Sequence, residues 1–208
     1  MRSQSELSWQ NATTKAVYPG FPQSGCRVHP SVVDLGEGHL KVFFRDRRME
    51  NIYSADSYDN GITWTAPRRM RIPNNNASIQ ANKLHTSAFN KTAAALNDSL
   101  VLVFDNTNRS CAFPDCNKRN PLSIALSYDK GETWPHVRDL EYGNNYPEQP
   151  GDPDPGRTEY SYPTVVQGQD GLLHISHSYN RDTIKYQQVS EEWVREGGTV
   201  GIFKGDKA

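Results

Sequence analysis

The sequence predicts an all-β fold assembled from repeated antiparallel units, and three observations carry the prediction. The octapeptide Ser57-Tyr58-Asp59-Asn60-Gly61-Ile62-Thr63-Trp64 returns 70 residues later as Ser127-Tyr128-Asp129-Lys130-Gly131-Glu132-Thr133-Trp134, a pattern S-x-D-x-G-x-T-W. Each copy follows a strand-like run, Ile52 to Asp56 in the first case and Leu122 to Leu126 in the second. Short apolar or alternating runs punctuated by Gly, Pro, Asn and Asp recur along the rest of the chain, and one short helix, Glu191 to Arg195, is the only helical expectation.

The octapeptide has the chemistry of a tight hairpin turn. A short acid, Asp59 or Asp129, can tie down the amides of its own turn, and Gly61 or Gly131 can take positive φ without a steric penalty. Trp64 and Trp134 then cover the turn with a large apolar face. Ser57 and Ser127 open the two copies, so each is expected to join two antiparallel strands.

Taken in order, residues 1–28 are polar and Gly/Pro-punctuated and form an irregular lead-in. Residues 29–194 carry the strands. Pro30 to Leu35, His39 to Arg45, the run into the first turn and Arg68 to Ile72 make a first four-stranded unit. Ile79 to Leu84, Ser99 to Phe104, Leu122 to Ser127 and Val137 to Leu140 make a second, with the polar loop Asn106 to Asn120 inserted. Tyr160 to Val166, Leu172 to Ser178 and Thr183 to Val189 begin a third, and 195–208 reads as a flexible Gly/Lys tail. Repeated four-stranded units of this kind are propeller blades, each burying its faces against its neighbours.

Composition narrows the function classes. A chain of 208 residues with 35% hydrophobic content holds one sizeable core, and a net charge of -1 gives no electrostatic case for nucleic acid. No run reaches the ~18 apolar residues of a spanning helix, and Met1 to Gln10 has no apolar leader segment. Of three cysteines, Cys111 and Cys116 flank a short loop that a disulfide could close, leaving Cys26 over. Five N-x-S/T sequons, at Asn11, Asn76, Asn90, Asn97 and Asn108, point to a secretory history. No cofactor is expected: nucleotide, hydrolase and zinc motifs are absent, and His174 and His177 face opposite sides of one strand.

The repeated octapeptide resembles the Asp-box of sialidases and related β-propellers. Phe43-Phe44-Arg45-Asp46-Arg47-Arg48, Pro73 to Gln80, Glu159-Tyr160-Ser161-Tyr162-Pro163, Asp170 to His174 and Asn180 to Lys185 strengthen the resemblance to the BNR-repeat branch of the sialidase superfamily. It implies a six-bladed propeller of which about three blades are visible, so an incomplete ring is expected. It also implies exo-sialidase-type hydrolysis of terminal sialic or other acidic sugars on glycans.

That chemistry needs arginines to hold a substrate carboxylate, because a guanidinium stays charged and pairs bidentately. A carboxylate nucleophile would be repelled there, so sialidases use Tyr, with a nearby Glu to take its proton. The resemblance implies Tyr160 as nucleophile with Glu159 beside it, Tyr162 as the substitute, and Arg45 as the carboxylate clamp. Arg181, Asn75 and Gln80 are the expected substrate-binding side chains, and Asp34 and Asp46 stand in for the acid. The family's F/Y-R-I-P segment has no true counterpart, since Arg71-Ile72-Pro73 leaves a blade rather than opening the ring. Two alternatives stay open: a non-catalytic propeller binding glycans or proteins, and a uronate-directed relative using His29 or His85 as base with the same Arg45.

Overall fold

The computed structural model describes residues 26–85, 98–110, 119–143 and 158–206. Three antiparallel sheets stand side by side. The first blade holds β1 (Arg27–Gly36), β2 (His39–Asp46), β3 (Asn51–Ser57) and β4 (Arg68–Pro73) in sequence order. The second holds β5 (Gln80–Lys83), β6 (Leu100–Asp105), β7 (Leu122–Ser127) and β8 (His136–Glu141), and the third β9 (Tyr160–Gln167), β10 (Leu173–Tyr179) and β11 (Thr183–Val189). β1, β5 and β9 pack in succession as the innermost strands of their blades. Cys111 and Cys116 lie outside the described residues, and Cys26 is a free thiol.

The sequence of β6 shows why the blades stack. Leu100, Leu102 and Phe104 meet Val33, Phe43, Ile52 and Ile72 of the first blade, while Val101 and Val103 meet Tyr160, Val165 and Ile175 of the third. A strand buried on both faces reads as a continuous apolar run rather than an alternation. β11 is the contrast: it alternates toward solvent on the far side of the third blade, where Ile184 and Tyr186 are exposed.

Both octapeptides fold as expected. The Asp59 carboxylate accepts from the Thr63 amide at 2.8 Å and the Ser57 hydroxyl at 2.8 Å, and the Gly61 amide donates to Ser57 at 2.8 Å. The second copy repeats these contacts at 2.9, 2.8 and 2.9 Å through Asp129, Ser127 and Gly131. Each Trp indole donates to the carbonyl of its own Gly. The surroundings differ: Trp134 is 1% exposed beneath Phe43 of the first blade, whereas Trp64 is half-buried. A Cβ on Gly131 would stand 3.0 Å from Phe43.

The expected helix forms as α1 (Glu191–Arg195), capped by the Ser190 hydroxyl accepting from the Trp193 amide at 3.0 Å. The expected flexible tail instead packs onto the second blade. Phe203 is buried, Asn106 binds its amide and carbonyl at 2.8 and 2.9 Å, and Asp206 accepts from the Trp134 amide at 2.8 Å. Asp206 also pairs with Arg71 of the first blade at 3.2 Å, so residues 198–206 form a strap joining two blades. Glycine content misled the expectation, because Gly198 and Gly205 provide positive φ where the strap bends rather than freedom to move.

Candidate active site

Strand register divides each blade into two ends. Leu40 pairs with Ser57 and Leu100 with Ser127, so the Asp-box turns lie at one end. Arg45, Asp105, Tyr160 and the turn after Tyr179 lie at the other. That second end gathers the candidate residues. It is also where the backbone departs from a regular strand.

β9 carries a bulge: Ser178 pairs with Ser161 and Ser176 with Thr164, leaving one residue over. The extra residue is Tyr162, at φ +53 and directly before Pro163. β1 repeats the feature with His29 at φ +57 before Pro30. Neither a non-Gly residue nor one preceding proline takes left-handed backbone cheaply, so both positions hold strain at the end where function is expected.

The bulge reverses the expected relation of the two tyrosines. Alternation along a regular strand would put Tyr160 and Tyr162 on one face, but the left-handed backbone at Tyr162 separates their side chains. Tyr160 is 0% exposed, packs among Leu173, Ile175 and Val194, and donates its hydroxyl to the Gly143 carbonyl at 2.6 Å. Burial, reinforced by Tyr179 and Glu141, pushes its phenol above the ordinary range. Such a phenol is packed, and its hydroxyl is committed to a hydrogen bond. Tyr162 is 55% exposed and lies under the Arg119 guanidinium, 5.4 Å from ring centre to Cζ.

Arg119, from the segment before β7, is the residue that sequence reasoning missed, because it sits at the end of a polar loop without strand pattern. Its main chain is fixed by the Tyr160 amide donating to its carbonyl at 3.0 Å. Its side chain donates to Ser161 at 2.8 Å and lies 3.3 Å from Glu159. Arg181, in the tight turn between β10 and β11 with φ +62, pairs with the other Glu159 oxygen at 2.8 Å. Asn180 fixes that turn against Glu159: its side chain accepts from the Glu159 amide at 2.9 Å, and its own amide donates to the Glu159 carbonyl at 2.8 Å.

Arg45 joins the cluster from β2. It donates through Nε to Asn76 Oδ1 at 2.8 Å, and Asn76 is in turn set by Asn74, which also accepts from the Asp46 amide. Desolvation first, and then the neighbouring Arg119 charge, lowers the Arg45 guanidinium from its ordinary value, partly offset by Tyr162. Arginine starts so high that it stays charged.

The carboxylates behave differently from the expectation. Burial would raise Glu159, but the Ser161 and Arg181 hydrogen bonds and the Arg119 charge outweigh it and hold the carboxyl below its ordinary value. Glu159 is therefore an anion that spaces two arginines. Asp46 accepts from the backbone amides of Arg48 and Glu50, and Asp34 caps the Gly36 turn at the Asp-box end. Neither is presented as an acid. Gln80 donates to the carbonyl of Ala81, while Asn75 is buried with both side-chain polar atoms unpartnered among the described residues. His29 stands at the arginine end, and His85 at the Asp-box end donates its amide to Gln167.

Three blades, two of them closed by Asp-boxes, with arginines gathered at the opposite end, define a partial β-propeller of the sialidase superfamily's BNR-repeat branch. The chain belongs to the BNR repeat-like domain family, which matches residues 1–175. No curated protein matches the sequence. Among solved structures, a Hadza microbial sialidase superposes with TM-score 0.60 at 17% identity over 81% of this chain and 28% of its own. The NanB sialidase from Streptococcus pneumoniae (0.59, 14% identity, 79% and 23%) and a leech intramolecular trans-sialidase (0.58, 16%, 80% and 24%) superpose similarly. The chain thus spans less than a third of the length of these structural relatives.

Proposed function

We propose that this chain carries the anion-binding part of an exo-sialidase-type site that takes terminal acidic sugars of glycans. The pairing of Arg119 and Arg181 with one carboxylate, Glu159, and the placement of Arg45 beside Arg119 together are the observation that supports this reading most directly. Three guanidinium groups against one carboxylate leave positive charge for a ligand carboxylate. Their fixed partners, Asn76, Ser161 and Glu159, limit the entropy lost on binding. Tyr162, exposed beside Arg119, takes the nucleophile role in place of Tyr160. Asn75, with unpartnered polar atoms in the loop that holds Arg45, is the proposed contact for sugar hydroxyls.

The test is binding of N-acetylneuraminic acid followed by ligand-observed NMR, together with turnover of a fluorogenic sialoside. Arg119→Gln and Arg45→Gln should each weaken binding at least tenfold, the cost of one charge-assisted contact. Unchanged binding in both would remove the arginines from the site. A binding-only reading has its own support: Glu159 is committed to the arginines and Asp46 to backbone amides, so neither is placed as an acid. Wild-type binding with no turnover would favour that second reading.

A further inference from the structure

We propose that Asp105 is a neutral carboxylic acid built into the floor of the arginine cluster, a positioning residue that leaves Arg119 free for an anion and would capture Arg119 if ionised. The choice of anion rests on the sialidase-type reading above; the state of Asp105 does not. Register places it functionally. Leu40 and Leu100 pair with the first residue of their respective Asp-boxes, so five residues further on Asp105 occupies in the second blade the position of Arg45 in the first.

The side chain is buried, and neither carboxyl oxygen has a hydrogen-bond partner among the described residues. Among the described residues, the charged groups that face it are Arg119, from the segment before β7, and Glu159, from the segment before β9. Arg45 and Tyr162 lie beyond Arg119, and Arg181 beyond Glu159. Arg119 directs its guanidinium to Ser161 and Glu159, and no ion pair joins it to Asp105 among the described residues. A carboxylate without a donor in such a place is strongly disfavoured, and the nearby Glu159 anion adds to that. Burial, reinforced by Glu159 and only partly opposed by Arg119, holds the acid well above the usual carboxylate range.

Charge decides the consequence. With Asp105 neutral, Arg119 faces one carboxylate, Glu159. With Asp105 ionised it faces two and gains a competing internal partner. Anion affinity should then fall on the order of tenfold as pH rises through the Asp105 titration. The same proton links to folding. A carboxyl raised in the folded state contributes stability that is present below its unfolded value and is lost as pH rises through the folded value.

Asp105→Asn keeps the shape and fixes the neutral state. Thermal unfolding of parent and variant from about pH 4 to about pH 9 reads the proton directly. N-acetylneuraminic acid binding over the same range reads its effect on Arg119. The expected result is that parental stability falls with rising pH where the variant's does not, and that the parent's affinity falls while the variant's stays level. Coincident melting profiles would overturn the assignment whatever the binding shows. Divergent melting profiles with no sugar binding by either protein would keep Asp105 neutral and discard the sugar reading. Divergent melting with identical pH dependence of binding would overturn the positioning role.

Discussion

The two tyrosines of β9 make opposite predictions, and substituting each by Phe separates them. Tyr160→Phe keeps a ring that is 0% exposed and removes only the hydroxyl that donates to Gly143 at 2.6 Å. A hydrogen bond of this kind contributes about 1 kcal/mol net, which for a chain of this size lowers the unfolding midpoint by roughly 2–4 °C. Removing the whole ring as Tyr160→Ala opens a cavity among Leu173, Ile175 and Val194 and costs about 3–5 kcal/mol. Tyr162 is 55% exposed, so Tyr162→Phe should shift stability by no more than about 0.5 kcal/mol. The expected pattern is thus crossed: Tyr160→Phe melts lower and keeps whatever sialoside turnover the parent has, while Tyr162→Phe melts normally and loses it. Calorimetry and a fluorogenic sialoside assay on the same preparations decide it. A normal melt with lost turnover for Tyr160→Phe would refute the reasoning and return the nucleophile to the residue the sequence first suggested.

The remaining predictions concern stability, pH and association. Asp129→Ala should destabilise the fold by about 1–3 kcal/mol by leaving the turn amides unpaired. Asp59→Ala should cost less, because its turn is more open, and equal midpoints for both variants and the parent would show that these boxes are not structural. Burial opposes ionisation of Asp129, but the Thr133 and Ser127 hydrogen bonds prevail and lower the carboxyl. Its contribution is therefore present above the unfolded value near 4 and lost as pH falls through the folded one, so Asp129→Ala should melt with a shallower acid limb. Asp206→Ala leaves the buried Trp134 amide without its acceptor and should cost about 1–3 kcal/mol by equilibrium unfolding, with the exposed Arg71 pair adding little. On the third blade, Val166 and Ile184, with Tyr186, are exposed on the side away from the second blade. The chain should self-associate there; light scattering should show a species larger than the monomer that Ile184→Lys with Tyr186→Asp reduces, and a monodisperse parental monomer would exclude it.

The sequence determined what is local. Each Asp-box encloses its own hydrogen bonds within eight residues, so Ser57 to Trp64 and Ser127 to Trp134 specify their turns whatever surrounds them. The strands around them were equally legible, because apolar alternation, and the unbroken Leu100 to Phe104 run, record one- or two-sided burial directly. The superfamily followed from those segments together.

Tertiary structure decided what depends on distant partners. Period-2 reasoning placed Tyr160 and Tyr162 on one face, but a single left-handed residue before Pro163 separated them, and a bulge leaves no mark in an otherwise regular strand pattern. Glu159 was legible as a carboxylate beside Tyr160 but not as the anion between Arg119 and Arg181, since those residues lie 40 before it and 22 after it in the chain. The strap of residues 198–206 was hidden for the same reason: Asn106 and Trp134, which hold Phe203 and Asp206, come from another part of the sequence. Short-range hydrogen bonds and burial patterns are written in consecutive residues, whereas the charge environment of a site is the sum over groups that only folding brings within a few ångströms.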